Sequence, residues 1–183
     1  MKRVIQHSAG LSGRAGGVCL ALLACIGTSA AEVTASFQVS AQIVDGCEIN
    51  QTIPANGAAI GKIGTLNFGS HPSLTTGPIS TTLSYDMGFR ISCTPSVTLS
   101  MSLDGGQNAT SSRRLQSSSG TAHVDYHLYR DAGFGQELAI NQPYEISFIG
   151  GEAITLPIYG RLTLSGSDSP DTYTDSVRIT LAW

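Results

Sequence analysis

Charge is scarce in this sequence: Asp, Glu, Lys and Arg make up 13% of its 183 residues, against about 25% in ordinary domains. Ser, Thr and Gly supply the polarity instead, a composition suited to strands and tight turns. Helical periodicity is lacking as well, since no window longer than ten residues keeps apolar side chains at i, i+3, i+4 and i+7. There is no GxSxG elbow, no HExxH and no Gly-rich phosphate loop leading into a helix, so the sequence argues against an enzyme and implies no cofactor. The apolar run at residues 18–26 is nine residues long, well short of the roughly 20 that a membrane-spanning helix needs.

Lys2, Arg3 and Arg14 precede that run and small residues follow it, the layout of a secretory signal peptide over residues 1–30, with cleavage expected after Ala30 or Ala31. A competing reading is the stretch Leu22-Leu23-Ala24-Cys25, which resembles the lipobox of bacterial lipoproteins. Cutting there would leave only residues 18–24 as the apolar region, near the lower end of the usual range of about 7 to 15, and leucine is an unusual choice ahead of the alanine. The 153 residues that remain after residue 30 suffice for one domain burying about two thirds of its unfolded surface. They carry seven basic and thirteen acidic residues, a net charge of −6, which argues against nucleic acid or an anionic membrane as partner. Cys19 and Cys25 fall in the leader, so Cys47 and Cys93 are left as an even pair in an oxidising compartment, where one disulfide is the default. They lie 46 positions apart, for which loop entropy gives about 4 kcal/mol of stabilisation, and that spacing excludes a CxxC redox or zinc motif.

Period-two alternation recurs along the chain. It is cleanest at residues 33–43 (VTASFQVSAQI), where Val33, Ala35, Phe37, Val39, Ala41 and Ile43 alternate without a fault against Thr34, Ser36, Gln38, Ser40 and Gln42. In a strand the two sets face opposite ways. Val97, Leu99, Met101 and Leu103 form a second such face, Val124, Tyr126 and Leu128 a third, and Val177, Ile179, Leu181 and Trp183 a fourth. Turn signals at Asp104-Gly105-Gly106, Gly150-Gly151 and residues 166–171 separate these runs, as an antiparallel sandwich requires. The serine-rich residues 110–121 read as a long hairpin loop.

Several patterns have a sharp and a plain reading. His123, Asp125 and His127 share one strand face and could be drawn as a metal triplet. Neighbours on such a face stand about 6.6 Å apart, so a solvated face and no metal is the expectation. Arg113 and Arg114 read as a solvated turn pair, and the sequon Asn108-Ala109-Thr110 as a chance match. Phe37 has a competing reading as a core residue of its own domain, and Val177, Ile179 and Leu181 as ordinary core. The sequence finishes on the alternating strand ending at Trp183, which in a seven-strand Ig-like sandwich leaves the last strand position vacant and a sheet edge open.

Cys47 after the first alternating run, LNFG at residues 66–69, Cys93, LDGGQN at 103–108 and the pair Arg114-Leu115 resemble the spore coat U domain proteins. That family includes the pilins of Csu-type archaic chaperone–usher pili. YHLYRD at 126–131, PIYGRL at 157–162 and YTDSVRITL at 173–181 are the most specific carriers, and NQP at 141–143 resembles the rod-forming major subunits. The order and spacing of these motifs span nearly all of residues 31–183.

The resemblance implies an all-β fold, an incomplete Ig-like β-sandwich lacking its C-terminal strand. It divides the chain into a donor-strand segment at residues 31–46 and a pilin domain at 47–183. Val33, Ala35, Phe37, Val39, Ala41 and Ile43 would be the donor side chains, and Val177, Ile179, Leu181 and Trp183 would line the acceptor groove and the chaperone-binding strand. Trp183 departs from the Phe or Tyr more usual at that end. The partners implied are a second copy of the chain in a head-to-tail homopolymer, a periplasmic pilus chaperone, an outer-membrane usher and other pilus subunits. The chain would travel through the periplasm to the cell surface and serve there in adhesion and biofilm formation. Competing readings are a minor or tip subunit that binds a surface or sugar, and a self-complemented secreted protein that does not polymerise.

Overall fold

The computed structural model describes residues 33–86, 88–147 and 151–183; the leader and its cysteines lie outside the described residues. The chain divides into two units, Met1–Ala41 and Gln42–Trp183. In the first unit, residues 33–41 form no strand. The second unit is entirely β, with no helix among its described residues. Its strands among the described residues are β1 (Cys47–Ile49), β2 (Gly64–Thr65), β3 (Thr76–Thr82), β4 (Ser84–Tyr85), β5 (Ile91–Cys93) and β6 (Leu99–Leu103), then β7 (Arg113–Ser117), β8 (His123–Tyr129), β9 (Tyr144–Ile146), β10 (Tyr159–Ser165), β11 (Tyr173–Thr174) and β12 (Ile179–Ala182).

Alternation decides which side chains turn inward. Along β6, Leu99, Met101 and Leu103 are buried while Ser100 and Ser102 are only partly so, and along β8 Val124, Tyr126 and Leu128 are buried between exposed His123, Asp125 and His127. These two strands belong to different sheets. β8 lies in a five-stranded sheet of order β11-β7-β8-β10-β3, and β6 is central in a three-stranded sheet of order β12-β6-β9, with every ladder antiparallel. Their inward side chains meet in one core with Leu138, Leu156, Ile158 and Leu162, so the two sheets form the layers of a sandwich. Small ladders β1-β5 and β2-β4 complete the unit.

PIYGRL acquires a packing reason here. Gly160 sits buried in β10, and a Cβ on it would lie 2.6 Å from Leu66 and 3.0 Å from Phe68. The absent side chain lets the LNFG segment lie directly on the sheet, where the Phe68 ring also meets Tyr126 edge-on with centroids 6.4 Å apart.

The serine-rich residues 110–121 are not one long loop. β7 occupies their centre, pairing with β8 from Arg113↔Tyr126 to Gln116↔His123, and only a tight turn around Ser118 and Gly120 remains. Asp171 braces that turn. Its carboxylate accepts hydrogen bonds from the Ser118 hydroxyl and from the Ser119 and Thr172 backbone N–H groups. These bonds, the Ser118 hydroxyl's first among them, hold its pKa down at about 2. A depressed carboxyl contributes stability that is complete above its unfolded value, near 4, and is lost as pH falls through the folded value. An NMR titration should accordingly give Asp171 a midpoint near 2, with the Ser119 and Thr172 amides reporting the same event. A midpoint near 4 would mean that the brace does not form.

Candidate functional site

Two surfaces carry the residues singled out in the sequence, one in each unit. In the N-terminal unit the apolar set stands in solvent: Val33 is 90% exposed, Phe37 88% and Val39 82%. Ala35 and Ala41 are exposed too. Ile43, just beyond the boundary, is 96% exposed. Scattered exposed apolar residues are ordinary, whereas these stand at every second position of one short segment.

The second surface is the edge at β12. This strand pairs with β6 from Ile179↔Leu103 to Ala182↔Ser100, and among the described residues it has no strand on its other side. Ile179 and Leu181 pack against the core yet are only half-buried, as is Val177 just ahead of the strand. The same inward positions on β6, with a neighbour on each side, are 0–1% exposed. Among the described residues, β12 therefore presents an unpaired row of backbone groups beside a partly uncovered apolar face. Trp183 departs from the inward set: it follows β12 and is 48% exposed.

Cys47 and Cys93 are joined by a disulfide, with their Cα atoms 4.0 Å apart as directly paired residues of β1 and β5. Pairing continues one step toward the N-terminus, where the Thr94 backbone N–H donates to the Gly46 carbonyl at 3.0 Å and the Gly46 N–H to the Thr94 hydroxyl at 3.2 Å. Residues 33–46 carry no strand, and the ladder of the second unit starts at Cys47.

Sequence reasoning misjudged Arg113. It is no solvated turn residue but 2% exposed, on the inward face of β7. Its guanidinium donates to three main-chain carbonyls: Nε to Asp104 at 2.8 Å, Nη1 to Leu138 at 2.7 Å and Nη2 to Leu103 at 3.2 Å. A buried cation is tolerable only when its donors are satisfied in this way, and desolvation still lowers its pKa. The one available signal was parity, since Arg113, Leu115 and Ser117 share a strand face. Arg114 points the other way and bonds the Asn108 carbonyl at 2.9 Å.

His123, Asp125 and His127 line the exposed face of β8, and His127 Nδ1 pairs with Glu137 Oε1 at 2.6 Å. Among the described residues no group of three His, Cys, Asp or Glu side chains is arranged to hold a metal ion. The buried Tyr126 hydroxyl donates to Asp175 Oδ2 at 2.7 Å, and burial, reinforced by that bond, raises its pKa. Desolvation likewise pushes the Tyr85 hydroxyl, which donates to the Leu156 carbonyl, up to about 12. Neither phenol is poised for proton transfer near neutral pH.

Fold and surfaces together define an antiparallel β-sandwich with an open edge and a solvent-exposed alternating segment ahead of it. Residues 33–180 match the model of the Spore Coat Protein U domain, and the chain belongs to that family. Curated proteins gave no match. Among solved structures, the chain is similar to one chain of the crystal structure of the CsuC-CsuE chaperone-tip adhesion subunit pre-assembly complex from archaic chaperone-usher Csu pili of Acinetobacter baumannii. The identity is 12% and the TM-score 0.48, over 77% of this chain and 40% of that one, so this chain spans less than half the length of its structural relative.

Joining β1 to β5 through sulfur removes freedom from the unfolded chain over 46 positions. Replacing Cys47 and Cys93 together by Ser should therefore lower the unfolding free energy by about 2–4 kcal/mol in a denaturant titration. A loss below about 1 kcal/mol would mean that the bridge adds little to the β1-β5 ladder.

Proposed function

We propose that the chain is a structural subunit of a bacterial surface pilus, assembled by the chaperone–usher pathway through donor-strand exchange. In this reading residues 33–43 donate a strand to the β12 edge of the next copy. The observation that supports it is the presence of two surfaces of complementary character: an alternating apolar segment in solvent and a strand edge with a half-covered apolar face. Membership of the Spore Coat Protein U domain family supports it. The chain would leave the cytoplasm behind a cleaved leader at residues 1–30, be held by a periplasmic chaperone with β12 and Trp183 in contact, and pass through an outer-membrane usher. It serves as a scaffold without catalysis, in a fibre that supports adhesion and biofilm growth.

The energetics suit such a role. Burying Phe37, Val39 and Ile43 at about 1.5–3 kcal/mol each gives roughly 5–9 kcal/mol, and each ladder hydrogen bond adds about 0.5–1.5 kcal/mol, before the ordering of the segment is subtracted. Donation is directional and joins unlike surfaces, so it extends into an open filament.

Deleting residues 32–44 should leave a chaperone-bound subunit that folds but forms no polymer ladder on a non-boiled gel; an unchanged ladder sinks the proposal. Phe37→Asp should weaken strand donation at least tenfold while leaving chaperone capture intact. Loss of the chaperone complex would instead assign Phe37 to its own core.

A further inference from the structure

The four residues between β11 and β12 cross from the five-stranded to the three-stranded sheet, and the polar contacts around that crossing are dense. At its start, Asp175 Oδ1 accepts the Gln107 backbone N–H at 2.8 Å and Asn108 Nδ2 at 3.3 Å, while Oδ2 accepts the Tyr126 hydroxyl at 2.7 Å. At its end, Arg178 and Asp104 are bound twice, Arg178 N–H to Asp104 Oδ1 at 2.9 Å and Asp104 N–H to the Arg178 carbonyl at 3.0 Å. Gly106 lies between these groups at φ +80°, and a Cβ there would stand 2.0 Å from Asp175 Oδ2. That collision explains why the LDGGQN turn carries glycine at this position. Arg113 closes the arrangement from β7 by gripping the Leu103 and Asp104 carbonyls at the end of β6.

The geometry points to Asp175 and Tyr126 as positioning residues for strand acceptance: with Asp104 and Arg178 they hold β12 against β6 so that its outer edge is a rigid template. β12 needs this help because among the described residues it has one neighbouring strand, four ladder positions and only half-buried apolar side chains. A strand so lightly held opens locally at low free energy unless something outside the ladder restrains it. The knot supplies that restraint at the end where the chain enters β12, and it ties the strand to both sheets at once. The inference rests on the reading of β12 as the acceptor edge, but its physical content, restraint of one strand by a side-chain knot, can be measured without any polymer.

The decisive experiment is hydrogen exchange on the monomeric full chain and on its Asp175→Asn and Tyr126→Phe variants. Backbone amides of Ile179, Thr180, Leu181 and Ala182 should exchange at least tenfold faster in the variants, while those of β8 and β10 change less than twofold. Unchanged β12 exchange, or equal acceleration in all strands, overturns the inference. Tyr126→Phe keeps the ring and leaves the two other Asp175 bonds, so it decides the matter if Asp175→Asn does not fold. A peptide of residues 33–43 should also add more slowly to the variants. If β12 loosens and peptide addition is unaffected, the knot is real but the acceptor assignment of β12 fails.

Discussion

A backbone row with a partner on one side only is the constraint from which the rest of this molecule is organised. Strand β12 pairs with β6 and, among the described residues, with no other strand, while Val177, Ile179 and Leu181 stay only half-buried. Such an edge invites pairing with any extended chain. The segment at residues 33–43 is exposed at every position, forms no strand, and carries an apolar residue at every second place. Each is costly alone, and in the proposed function each relieves the other, the segment as donor and the edge as acceptor.

Openness at one edge has to coexist with a sandwich that stays folded. Several features bear that burden. Full burial of Leu99, Met101 and Leu103 makes β6 the anchor of its sheet, Gly160 lets Leu66 and Phe68 close over the opposite sheet, and the Arg113 guanidinium ties β7 to two carbonyls at the end of β6 and to that of Leu138. Among the described residues, no buried side-chain nitrogen or oxygen lacks a hydrogen-bond partner. The polar interior is therefore fully connected, the condition under which buried polar groups add rigidity and not cost.

Alternation made β6 and β8 readable down to individual inward residues, because a buried strand face must be apolar at every second position. At residues 33–43 the same alternation is not matched by a strand. It failed at Arg113, since a cation in a serine-rich stretch looks solvated unless its acceptors are known, and those lie 9, 10 and 25 positions away in sequence. Trp183 was grouped with the inward set on parity alone, although parity loses its force where a strand ends. The roles of Asp175 and Gly106 were equally hidden, for they depend on a turn and a crossing that meet only in the folded sheet.

The bridge between Cys47 and Cys93 has a mechanical meaning as well as a thermodynamic one. Any tension on the segment at residues 33–46 enters the sandwich at Cys47 and passes at once through sulfur into β5. The chain between the two cysteines, 46 positions in span, is thereby bypassed and cannot be drawn out while the bond is intact. Load would reach the body of the domain as a pull on two covalently joined strands, with the chain from Cys47 to Cys93 held out of the line of force.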